Sequence, residues 1–174
     1  MLKDWETFYF MLGSAGAGLI GLLFVVITLT AGLDRQQTFR GGRLYLSPTV
    51  VDFALILTMS AFVIAPALPI QATAVLLAAT AIVGLVFAVR SSIGISGSPP
   101  PGIEAPHWTD VWMYGVVPGV IYAGILLSAA ALWVEAPLAA YGLAALLLGL
   151  LLISIRNAWD LITWITPRSR DAAR

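Results

Sequence analysis

A chain of 174 residues with 60% hydrophobic and only 10% charged residues, at a mean hydropathy of +0.94, is too apolar for a soluble domain, where about a quarter of residues carry charge. Nine basic residues balance nine acidic ones, and there is no cysteine, which excludes disulfides, thiolate nucleophiles and thiolate metal ligands. The useful unit is therefore the membrane span of about 20 apolar residues that crosses ~30 Å of hydrocarbon.

Uncharged runs cover 7–33, 53–89, 111–134 and 136–155. The second is about twice the length of one span. Near its middle PALPIQ, Pro66 to Gln71, supplies two prolines and an amide, which suit a tight interfacial turn between antiparallel helices. The expectation is an all-α, polytopic membrane helix bundle, a single transmembrane domain over 1–174 with five spans near 7–32, 49–67, 71–90, 110–133 and 137–160. That count puts Arg35, Arg40, Arg43, Arg90, Arg156, Arg168, Arg170 and Arg174 on one face and Lys3, with Asp4, Glu6 and the Glu135 turn, on the other. Basic residues in short loops stay on the cytoplasmic side, so the N-terminus is expected outside and the C-terminus in the cytoplasm.

The first span contains GSAGAGLIGLLFVV, in which Gly16, Gly18 and Gly21 have the spacing of a dinucleotide-binding loop, with Asp34 further on. Such a loop needs a strand before it and an amphipathic helix after it, whereas LLFVVITLTAGL has no polar face. A signal peptide fits no better, because the apolar run continues far past Ala15-Gly16-Ala17 and the preceding segment is acidic. The remaining reading is close packing: Gly13, Ala17 and Gly21 recur at every fourth position, with Ser14 and Gly18 beside them, so one stripe of the helix nearly lacks side chains. The helix on that stripe is either one of the chain's own or one from another subunit.

The second span carries Asp52 about one turn from its start, and Thr58 and Ser60 further in; the third carries Thr80 and ends at Arg90. After it, GISGSPPPGIEAP, Gly94 to Pro106, is a stiff irregular stretch with three consecutive prolines, a spacer or a partner contact. His107, the one histidine, follows beside Trp108 and suits an interfacial position. His107, Glu104 and Asp110 could in principle hold a metal, but lack the helical spacing of a metal motif, and no histidine lies within a span to ligate haem or chlorophyll. No metal or other cofactor is expected.

In the fourth span, GVVPGVIY places Pro118 and Gly119 where a kink would free a backbone carbonyl, for which Thr58, Ser60 or Thr80 are potential donors. The fifth span carries Arg156 and Asp160 on one face. Asp52, Arg90, Asp110, Arg156 and Asp160 all fall in a layer on the cytoplasmic side. They either lock helix ends together or line a vestibule for ions or protons. Asp52 is expected to pair with Arg156, or failing that Arg90; if Arg156 takes Asp160 instead, Asp52 is left for protonation.

Trp5 and Trp133 fit the outer interface, Trp108 and Trp112 the inner, and Trp159 and Trp164 the end of the last helix. The tail PRSRDAAR suits anionic lipid. The combination of AGAGLIGLLFVVITL in the first span with NAWDLI, Asn157 to Ile162, resembles an uncharacterised family of small bacterial multi-pass inner-membrane proteins. The resemblance implies a bacterial inner-membrane setting and brings no activity, substrate or catalytic residues.

Smooth helices, a small-residue stripe and few reactive groups favour a non-enzymatic protein that acts in assembly, as an accessory subunit of a membrane complex or as a homo-oligomer. Its expected partners are the lipid bilayer and other membrane subunits or itself, not nucleic acid. The alternative is a small oligomeric ion or proton channel or transporter using Asp52, Arg156 and Asp160, with the Pro118 kink as a moving part. An enzyme ranks third, because no clear acid, base or nucleophile is displayed.

Overall fold

A computed structural model describes residues 2–30, 35–97 and 108–165, with side chains described from residue 48 onward in the second helix and through residue 163 in the last. All regular elements among the described residues are helical. A 3-10 turn over Lys3–Trp5 leads into α1 (Glu6–Thr30), followed by α2 (Arg35–Ile64), α3 (Ile70–Ser96), α4 (Trp108–Trp133) and α5 (Ala139–Ile165). Helices α1, α3, α4 and α5 hold segments long and apolar enough to cross a membrane, and the described residues form a helical bundle. The remaining apolar segment, Pro48–Ile64 within α2, is shorter.

The helices are apolar on every side, so burial cannot be inferred from amphipathicity. Phe10, Leu22, Leu127 and Leu152 point outward, while Leu12, Phe53, Ile56, Leu77, Tyr122, Leu143 and Leu147 fill the core. Each inward stripe keeps helical spacing, as in Phe53, Ile56, Met59 and Ser60 of α2. Hydroxyls on the helices bond back to the carbonyl one turn earlier, Thr58 to Ala54 and Thr80 to Leu76, which hides them in an apolar medium.

Helix α2 contacts α1, α3 and α5, and α4 packs between α3 and α5. Helix α1 lies at the edge: it buries 22% of its apolar window, against 39% in α3 and in α4 and 44% in α5. The turn after α2 reverses through Ala67, held at φ 59°, and the turn after α4 through Glu135, at φ 55°. The two turns meet where Gln71 Nε2 donates to Glu135 Oε1 at 3.4 Å, and at α1's start Trp5 stacks edge-on against Tyr141 of α5 at 4.9 Å. The start of α1 thus lies beside the start of α5.

From the sequence the third span ends at Arg90 and an irregular stretch begins at Gly94. The helix instead continues to Ser96, because Ser91 and Ile95 remain on the buried stripe and Ser92 seats against Gly115 of α4. The rest of that stretch, with Glu104 and His107, lies outside the described residues, as do Asp34, the 168–174 tail and the side chains of Arg35, Arg40, Arg43 and Trp164.

Candidate functional site

Asp52 lies in phase with Phe53, Ile56 and Met59, so the helical period that buries those three turns its carboxyl into the bundle, where 6% of the residue remains exposed. Two hydroxyls meet it there. Tyr122 of α4 donates its O–H to Asp52 Oδ1 at 2.7 Å, and Ser154 Oγ of α5 stands 3.4 Å from Oδ2. The same Ser154 hydroxyl lies 2.7 Å from Leu150 O, its own helix's carbonyl one turn back.

Tyr122 reaches Asp52 because α3 presents Gly84 beneath its ring; a Cβ at that position would overlap the ring carbons. The phenol body is fully buried among apolar side chains, and its one polar atom is spent on the carboxyl.

One turn further along α5 a second polar contact joins the same helices. Helix α4 departs from α-geometry over Trp112–Val116, a π turn in which the N–H of Val117 bonds to Trp112 O, five residues back. Continuing that pattern, the next donor to Met113 O would be residue 118, but Pro118 has no N–H. Asn157 supplies the missing donor: its Nδ2 bonds to Met113 O at 2.8 Å, while its backbone carbonyl accepts from Tyr114 O–H at 2.9 Å. The freed carbonyl is therefore satisfied from α5. Thr58 and Thr80, expected above in that role, bond within their own helices, and Ser60 Oγ has no partner.

The expected Asp52–Arg156 pair is not formed. Arg156 bridges Asp160 along its own helix at 3.0 Å, with both side chains 45% exposed, and its Nη1 donates to Asn157 Oδ1 at 3.3 Å. Arg90 is exposed on α3 and does not reach Asp52 either. Both arginines sit on outward faces, while Asp52 sits on the inward one.

The small-residue stripe of α1 divides in two. Gly13 and Gly16 face α2: a Cβ at Gly13 would come within 3.2 Å of Ser60 Cβ, and one at Gly16 within 3.0 Å of Phe53 O. Ser14, Ala17, Gly18 and Gly21 are exposed, and a Cβ at Gly18 or Gly21 would meet nothing within 4 Å. Gly119 is half-buried near Ala88, and Asp110 lies in the first turn of α4.

Comparison with protein-family models, with curated proteins and with solved structures finds no match to this chain. The site therefore stands on its own chemistry. It joins one carboxyl, three hydroxyls and a carboxamide across α2, α4 and α5, all exchangeable or hydrogen-bonding groups held in an apolar interior. Sequence reasoning found Asp52 and Pro118 but missed Tyr122, Ser154, Asn157, Gly84 and the packing role of Gly16. Spacing ties Ser154 and Asn157 to the stripe of Leu143, Leu147 and Leu150, but with leucines on every face of the helix only the structure shows that this stripe is the buried one.

Proposed function

We propose that this chain is a non-enzymatic membrane protein that acts in assembly, docking other membrane helices, its own copies or those of a larger complex, against α1. The observation that carries this reading is the outward face of α1. Gly18 and Gly21 there have open space where side chains would stand, although the same residue type one face over, at Gly13 and Gly16, is already used for close helix contact. In lipid there is little hydrophobic drive between helices, so surfaces where backbones can approach closely are the ones that associate. A helix that buries only 22% of its apolar window has room for a neighbour.

This reading includes five spans, with Pro48–Ile64 as the second, the N-terminus outside and the C-terminus in the cytoplasm. Support comes from the grouping of arginines and from the length of that segment, which lies at the short end of the ~17–25 residues a span requires. The arginine placement and the resemblance noted above favour a bacterial inner membrane.

The test is particle mass in mild detergent together with thermal stability. Gly18→Leu/Gly21→Leu is expected to lower the mass while leaving the unfolding temperature unchanged. A monomeric wild-type chain that purifies without other subunits, or an unchanged mass in the double variant, overturns the reading.

A further inference from the structure

The hydrogen bonds around Asp52 can be counted proton by proton. Tyr122 has one O–H and directs it to Oδ1 at 2.7 Å. Ser154 has one O–H and two oxygens within reach, Leu150 O at 2.7 Å and Asp52 Oδ2 at 3.4 Å. The shorter contact, the back-bond to the preceding turn, takes the serine proton. The lone pairs of Ser154 Oγ then face the lone pairs of Oδ2, a contact that is repulsive for an ionised carboxylate and becomes attractive once a hydrogen lies between the two oxygens.

Among the described residues, none places a charge against Asp52 to offset an ionised carboxylate. From α4 the titratable group facing Asp52 is Tyr122, while Tyr114 is turned to Asn157 O. From α5 Ser154 faces it, while Arg156 and Asp160 are paired with each other on the exposed side. Helix α3 contributes Gly84 beneath the tyrosine ring and holds Arg90 outward, and α1 has no ionisable side chain between Tyr9 and Thr30. Within α2, Thr49 is buried one turn away and carries no charge. A lone carboxylate in such a medium is costly, and proteins remove that cost by pairing the charge or by protonating it.

We propose that Asp52 is a proton-binding site within the bundle, a carboxylic acid whose Oδ2–H donates to Ser154 Oγ while Oδ1 accepts from Tyr122. Release breaks the Oδ2–H bond, leaves its electron pair on the carboxylate and passes the proton to water. The Ser154 hydroxyl then turns from Leu150 O to Oδ2, so proton occupancy is coupled to a hydrogen-bond exchange on α5, one turn from the Asn157 contact with α4. This inference does not depend on assembly through α1.

Infrared difference spectroscopy of the full chain in lipid nanodiscs, in H2O and D2O, tests it. At neutral pH the wild-type protein is expected to show the C=O stretch of a protonated carboxylic acid, shifted by deuteration and lost in Asp52→Asn. Asparagine keeps the side-chain shape and supplies an N–H to Ser154 Oγ, so the variant is expected to retain its amide bands. In Ser154→Ala the C=O band should persist at a displaced frequency, because its proton has lost its acceptor. Absence of any carboxylic C=O band that Asp52→Asn removes overturns the site. A band that does not move in folded Ser154→Ala overturns the position of the proton. Oligomer mass in Asp52→Asn is expected to equal that of the wild type, which separates this result from the assembly reading.

Discussion

Asn157 bonds to the carbonyl that Pro118 leaves without a donor. The two residues lie on different helices, yet the π turn before Pro118 offers Met113 O to α5, and the Asn157 amide meets it at 2.8 Å. Asparagine and proline act here as one structural unit. Neither is explained by its own helix.

This relationship predicts a coupling. Asn157→Ala leaves a buried carbonyl unsatisfied and is expected to cost about 1–3 kcal/mol. Pro118→Ala restores a backbone N–H near the same carbonyl, so the Asn157→Ala loss should shrink in that background. Thermal unfolding in detergent measures both; equal losses in the two backgrounds would show that the residues act independently.

Gly84→Ala inserts a methyl group where the Tyr122 ring lies. Overpacking of this kind costs roughly 1–3 kcal/mol. The loss should be largely absent when Tyr122 is already replaced by Leu, since the ring is then gone. A Gly84→Ala variant as stable as the wild type would place the ring elsewhere.

Arg156→Gln is expected to change stability by no more than about 0.5 kcal/mol, the usual worth of an exposed pair one helical turn apart. The effect should diminish with added salt. Combined with Asp52→Asn it should be additive, because the arginine bonds to Asp160 and Asn157 rather than to Asp52. A measured coupling between positions 52 and 156 would contradict this geometry.

Gly16→Leu should lower the unfolding temperature, because even a Cβ at that position would stand 3.0 Å from the Phe53 carbonyl of α2. Overpacking against a neighbouring backbone has few ways to relax, so a loss of about 1–3 kcal/mol is expected. Gly21→Leu, with open space at the same distance from its backbone, serves as the comparison and should unfold at the wild-type temperature.

Reporter fusions after Pro69 and Glu135 should register outside the cytoplasm, and fusions after Gly42, Gly97 and Arg174 within it. The grouping of arginines motivates this assignment. Finding the two ends of the chain on the same side would remove the five-span arrangement.

Composition alone pointed to helices apolar enough to cross a membrane and to the all-helical class seen among the described residues, because hydrocarbon leaves a backbone few other ways to satisfy its hydrogen bonds. The PALPIQ turn was equally legible, since two prolines within a few residues end a helix by local chemistry. Legible too was the loss of a backbone donor at Pro118, a property of the residue itself. Which side chain would meet the freed carbonyl was not, because Asn157 lies on another helix and its phase relative to α4 depends on how the two pack. The partner of Asp52 followed the same rule. Arg156 shares its depth along the bundle, but the rotation of α5 about its own axis turns Ser154 inward and Arg156 out. Rotation also divided the α1 stripe, seating Gly13 and Gly16 on α2 and leaving Gly18 and Gly21 outside. Apolar helices with nearly uniform faces carry little record of that angle in their hydropathy, so only the packed structure decides it.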